Sequence, residues 1–172
     1  NLQRAEWYVS KISDYRTLNA GDKSGMTAHH LCHGRRVTIP VNQPADRMLA
    51  EMLELSLRAM VELERGDHQM AFEHIERASF IDNRLPYFPA PPLVVKPVQE
   101  LYGDMLLEVQ KPEDALSKYD LALTKNPNRT RSVIGKYRAL MRMGDTEKAG
   151  DFKAIAQKLL KNADPGHPLS LD

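Results

Sequence analysis

A spacing, more than any motif, constrains what this chain can fold into. Gly66-Asp67 stands five and four residues before Ala71, Gly144-Asp145 stands likewise before Ala149, and Gln110-Lys111 likewise before Ala115. Ala115 and Ala149 are 34 residues apart, and Ala71 and Ala115 are 44 apart, the same period with ten residues inserted. Seven residues after each alanine sits another: Ala78, Ala122 and Ala156. Seven residues before each glycine position lie Ala59, Gly103 and Tyr137. Self-similarity at a fixed period marks a repeat architecture, in which no unit can bury its apolar face alone.

The stretches between the turns read as helices. Apolar residues recur at steps of three and four along about Pro44–Glu64, where Leu49, Met52, Leu53, Leu57, Met60 and Val61 share one side. The same spacing predicts helices over about Asp67–Ile81, Pro97–Val109, Pro112–Lys125, Thr130–Met143 and Asp145–Asn162. Asp67 is placed to accept bonds from the first amides of its helix. Pro97 and Pro112 suit a first turn, where a missing N–H costs nothing. The period and the helix pattern predict an all-α chain of stacked antiparallel helix pairs, with Ile75 and Tyr119 filling the gaps to the following pair.

Two segments break the pattern. Leu2–Leu18 has helical spacing at Leu2, Ala5, Val9, Ile12 and Tyr15, but 19–46 shows little periodicity, with only Val37-Thr38-Ile39 reading as extended. Residues 1–43 are therefore expected to be one helix followed by irregular chain. The ten-residue insertion coincides with Leu85–Pro97, where five prolines in thirteen residues forbid a helix and favour an extended path. Tyr87, Phe88, Leu93 and Val94 make that segment too apolar to leave in water, so it is expected to fold back on its own helices.

Composition narrows the function classes. The 172 residues carry 24 Lys+Arg against 23 Asp+Glu, without the basic excess of a nucleic-acid binder. No apolar run approaches the roughly 18 residues of a membrane span. The single cysteine, Cys32, makes no internal disulfide, so the fold must stand on packing. Neither a phosphate-binding glycine loop nor a pair of catalytic carboxylates stands out, and the expectation is a soluble, non-catalytic protein without a cofactor. The chain begins at Asn1 and shows no signal-peptide pattern, which reads as a processed or trimmed piece of something longer.

The middle unit carries a resemblance. Glu100-Leu-Tyr-Gly-Asp-Met-Leu-Leu, then Pro112-Glu-Asp-Ala-Leu-Ser-Lys-Tyr-Asp-Leu-Ala-Leu, closed by Asn126-Pro127, resembles the tetratricopeptide repeat, a helix–turn–helix unit of 34 residues. The likeness covers Pro44–Asn162 in three units, about 44–83, 96–129 and 130–163, with the insertion at 84–95. Residues 1–43 lie outside it, except that Leu2–Leu18 fits a helix left from an upstream unit. Asn126-Pro-Asn-Arg129, Gly144-Asp-Thr-Glu-Lys-Ala149 and Ala163-Asp-Pro-Gly166 look more narrowly like the C-terminal part of longer bacterial-type tetratricopeptide proteins. Arg58, Glu62, Lys136 and Lys153 depart from the family by standing where it has apolar residues. For Lys136 and Lys153 this suits a solvent-facing terminal cap.

The resemblance implies a short α-solenoid whose leading helices line a concave groove for a peptide segment or a neighbouring subunit. Carried over residue by residue, it puts Glu100, Asp104 and Glu108 on the groove side of one helix and Arg131, Arg138 and Arg142 on that of the next. Steps of four and seven make each set a single stripe. Two outcomes stay open. The stripes either offer charges to a ligand, with arginines forking onto a carboxylate, or neutralise one another as ion pairs between units.

Two alternatives come from other classes. His29, His30, Cys32 and His33 put four soft donors in five residues, a set able to give a zinc or copper ion two or three ligands. A second ligand pair at metal-binding spacing is missing elsewhere, since His68, His74 and His167 are scattered. A chain of stacked units is also suited to self-assembly through exposed ends.

Overall fold

The computed structural model describes residues 2–20, 27–32, 35–40, 44–85 and 96–163. Among the described residues, seven helices carry the fold: α1 Leu2–Asn19, α2 Pro44–Arg65, α3 His68–Asp82, α4 Val98–Glu108, α5 Pro112–Lys125, α6 Thr130–Met143 and α7 Thr146–Leu160. Each lies within a few residues of its expected bounds. The expectation of irregular chain after α1 needs correction. Strands β1 (Thr27–Cys32) and β2 (Arg35–Pro40) pair antiparallel, in a register from Thr27↔Pro40 to Cys32↔Arg35. The hairpin was hidden because Thr27-Ala-His-His-Leu-Cys32 lacks the apolar–polar alternation that betrays a half-buried strand. The folding-back expected of the proline-rich insertion falls largely on 86–95, outside the described residues.

The chain divides into two compact units, Asn1–Pro91 and Pro92–Asp172. In the first, α2 pairs with α3, and α1 packs against α2. Met52, Leu55, Ala59, Ala71, Ile75 and Ala78 are buried there. In the second, α4 pairs with α5, α5 with α6 and α6 with α7, while α4 and α6 also touch. Val133, Ile134 and Ala156 form the core between α6 and α7, with Leu123, Phe152 and Leu160 packed against them.

The helix–helix turns explain the sequence spacing. The first helix of each pair ends in one left-handed residue: Gly66 at φ 82°, Gln110 at φ 59° and Gly144 at φ 79°. The next amide then reaches back five residues: Asp67 N–H to the Glu62 carbonyl at 2.9 Å, Lys111 to Leu106 at 2.9 Å and Asp145 to Leu140 at 3.1 Å. The left-handed residues donate to Leu63, Leu107 and Met141, completing the hydrogen-bond pair that closes a helix on an αL residue. The residue that closes one helix opens the next. Asp67 and Asp145 cap it by accepting from the amides of Met70 and Lys148 at 3.0 and 3.2 Å. Lys111 supplies no such side-chain bond. A two-residue link can therefore hold each pair antiparallel, and this is why Gly-Asp recurs at fixed distance from the packing alanines.

Size exchange between facing positions fills each pair. Tyr119 of α5 is fully buried, and its ring lies where a side chain on Gly103 of α4 or Gly135 of α6 would stand. One period later, Gly103 becomes Tyr137 and Tyr119 becomes Lys153. There the ammonium of Lys153 sits 6.0 Å from the Tyr137 ring centre. Lys136 likewise stands 4.3 Å from the centre of Phe152 and pairs with Asp120. These lysines can stand where the family has apolar residues because their charges meet an aromatic face.

Candidate functional site

The charged stripes lie on α4 and α6 of the second unit. Glu100 opens α4 and is 1% exposed. A carboxylate that deep must be compensated. Arg129 forks onto it, Nε at 2.7 Å and Nη2 at 3.1 Å, and Ser132 Oγ donates at 2.7 Å. Arg129 is the N-cap residue of α6. The carboxylate is thus drawn toward the positive end of that helix as well as toward the guanidinium. Glu100 consequently ties α4 to α6 instead of facing a groove.

Asp104 comes one turn later and stays half-exposed. It accepts from the Tyr119 hydroxyl at 2.5 Å and pairs with Lys96 at 2.5 Å. Burial, reinforced by the Asp104 charge, pushes the Tyr119 phenol far above its ordinary range, so it remains a proton donor to Asp104. Arg138 is exposed, yet its charge acts on the same phenol in the opposite direction. Arg142 donates to the Leu107 carbonyl in the last turn of α4. A cation there adds a second donor to a carbonyl that already accepts from Gln110, and meets the negative end of the helix. Glu108 and Arg131 are exposed.

The structure thus brings the two stripes onto touching helices and commits part of each to holding them together. The residues that sequence reasoning missed are Arg129 and Ser132, while Tyr119, expected as a gap filler, was not foreseen as the partner of Asp104. Arg129 and Ser132 are three apart and share a side of α6. That signal was visible but unreadable until α4 lay beside α6.

Of the expected metal ligands, His29, His30 and Cys32 lie on β1, opposite Thr38, Val37 and Arg35 in the ladder. His33 lies outside the described residues. Among the described residues, no group of three or more His, Cys, Asp or Glu is arranged to hold a metal ion. None of the described helices is long and apolar enough to cross a membrane.

The first unit has its own ionic network. Glu54 of α2 is buried and accepts Arg16 of α1 at 2.5 Å and Arg58, one turn along, at 2.7 Å. Glu51, three residues earlier, accepts Arg16 at 3.3 Å and Arg77 of α3 at 2.7 Å. Burial alone would raise the Glu54 carboxyl. The guanidiniums of Arg16 and Arg58 outweigh it and hold the group below its ordinary value. Arg58, which departs from the family pattern, is there because Glu54 needs it.

No protein-family model matches the chain, and comparison with curated proteins and with solved structures gives no match either.

Proposed function

We propose that the chain is a non-catalytic protein–protein interaction scaffold, a short tetratricopeptide-like solenoid that binds a peptide segment or a subunit along the leading helices of its pairs. The observation carrying this reading is the recurrence of one turn geometry at Gly66, Gln110 and Gly144. Turns repeated at the sequence period give similar helix pairs, and in the second unit the pairs α4–α5 and α6–α7 pack with α4 touching α6. In the second unit these leading helices are α4 and α6. With Glu100 committed to Arg129, the surface offered to a partner consists of Asp104, Glu108, Arg131, Arg138 and Arg142.

Selection of peptides from a random display library on the full chain tests the reading. Peptides selected on the wild type should lose binding to the Arg131→Glu, Arg138→Glu double variant. They should keep it on Leu121→Glu, which alters an exposed residue of the following helix α5. Peptides that bind both variants equally, or a library that yields no binder, would remove the proposal.

A further inference from the structure

The charges of the first unit are unequal around one cavity. Arg16, Arg58 and Arg77 share the two carboxylates Glu51 and Glu54. Arg47 joins them from the first turn of α2, half-buried, and among the described residues no carboxylate pairs with it. Of these groups Arg16, Arg47 and Glu51 come together around one cavity, two guanidiniums to one carboxylate, a local surplus of one positive charge.

That surplus faces a pocket. A cavity of about 530 Å³ between α1 and α2 is lined by Ser13, Arg16, Thr17, Ala20, Arg47 and Glu51. Two hydroxyls stand on its α1 wall, two guanidiniums are within it, and the amino end of α2 adds its own positive potential. Thr17 Oγ1 donates its proton to the Ser13 carbonyl, which leaves Ser13 as the hydroxyl donor on that wall. Arg16 is held in place by two carboxylates, whereas among the described residues no carboxylate holds the Arg47 fork. A planar fork beside hydroxyls matches a tetrahedral or planar oxyanion.

We infer that this cavity is a binding site for a small oxyanion, a phosphate or carboxylate group, with Arg47 as its principal ligand and Ser13 and Arg16 completing the set. The site lies in the first unit and is independent of the α4–α6 surface. Glu51 on the same wall limits the charge it accepts. The inference therefore favours a single anionic group over a polyanion.

Backbone amide NMR of the full chain, titrated with inorganic phosphate and separately with acetate at constant ionic strength, tests it. Saturable shifts are expected at Ser13, Arg16, Thr17 and Arg47, with affinity reduced roughly tenfold or more by Arg47→Gln and less by Arg47→Lys. Response to phosphate alone assigns a phosphate site, response to acetate alone a carboxylate site, and either supports the inference. Should Arg47→Gln fail to fold, Ser13→Ala from the opposite wall must weaken binding by a severalfold factor. Shifts that follow ionic strength without saturating, shifts unchanged in both variants, or no shifts with either anion overturn it.

Discussion

The ring of Tyr119 occupies the space that any side chain at Gly135 would need, since a Cβ built there would lie 2.3 Å from the ring. The ring cannot swing aside without opening the core or breaking its hydroxyl bond to Asp104. Gly135→Ala should therefore destabilise the fold by about 1–3 kcal/mol, the usual cost of overpacking. That net loss comes despite the helix propensity that alanine brings. Gly150 sits in α7 with open space where its Cβ would go, so Gly150→Ala should raise stability by about 0.5–1 kcal/mol. Urea unfolding of the two variants checks both signs. Equal effects would mean that Tyr119 does not wedge α6.

The three turns predict a second contrast. Gly66 and Gly144 hold φ near +80° with nothing near a prospective Cβ, so alanine there suffers only from the backbone conformation. Gly144→Ala should cost about 1 kcal/mol. Gln110 already bears that strain at φ 59°. Gln110→Gly should be neutral to stabilising by up to about 1 kcal/mol, the strain relieved being partly offset by greater freedom of the unfolded chain. Thermal unfolding that ranks Gln110→Gly below wild type would show that this turn is held differently from the other two.

These turns also show what was legible in the sequence. Gly66-Asp67 and Gly144-Asp145 are chemically determined, since a left-handed residue and an N-cap each select their amino acids, and helix bounds followed from them. Gln110-Lys111 satisfies neither preference and was found only through the period. The charged stripes were legible as stripes, because helical spacing alone gives Glu100, Asp104 and Glu108 one side. Their partners were not. Whether Glu100 meets solvent or Arg129 depends on how closely α4 approaches α6, and that distance is set by Tyr119 between two glycines. The hairpin escaped because strand pairing is a relation between segments and neither His29 nor its neighbours alternate in polarity.

Glu100 and Arg129 should behave asymmetrically. Removing either partner of a buried ion pair costs about 3–5 kcal/mol when a charge is left behind without its counter-ion. Glu100 is the deeper of the two, while the Arg129 side chain is 28% exposed and can hydrate. Arg129→Ala should therefore destabilise more than Glu100→Ala, and Arg129→Ala with Glu100→Ala should cost less than the two single losses combined. A double-mutant cycle by denaturant unfolding measures the coupling. Additive losses would mean that the fork contributes nothing beyond packing.

Glu54 predicts how the first unit responds to acid. Its folded carboxyl lies below the ordinary glutamate value because Arg16 and Arg58 outweigh the burial that opposes ionisation. The unfolded chain, with a pKa of about 4.3, takes up the proton first. The stabilisation is then fully present above that value and is lost as pH falls through the lower folded one. Glu54→Gln removes the ionisable group and leaves both arginines without their shared carboxylate. The variant should be less stable than wild type at pH 7, and the gap should narrow steadily as pH is lowered from about 5 to 3. Urea midpoints at matched ionic strength across that range test it, and a gap that stays constant or widens toward acid would show that the charge on Glu54 does not hold α1 against α2.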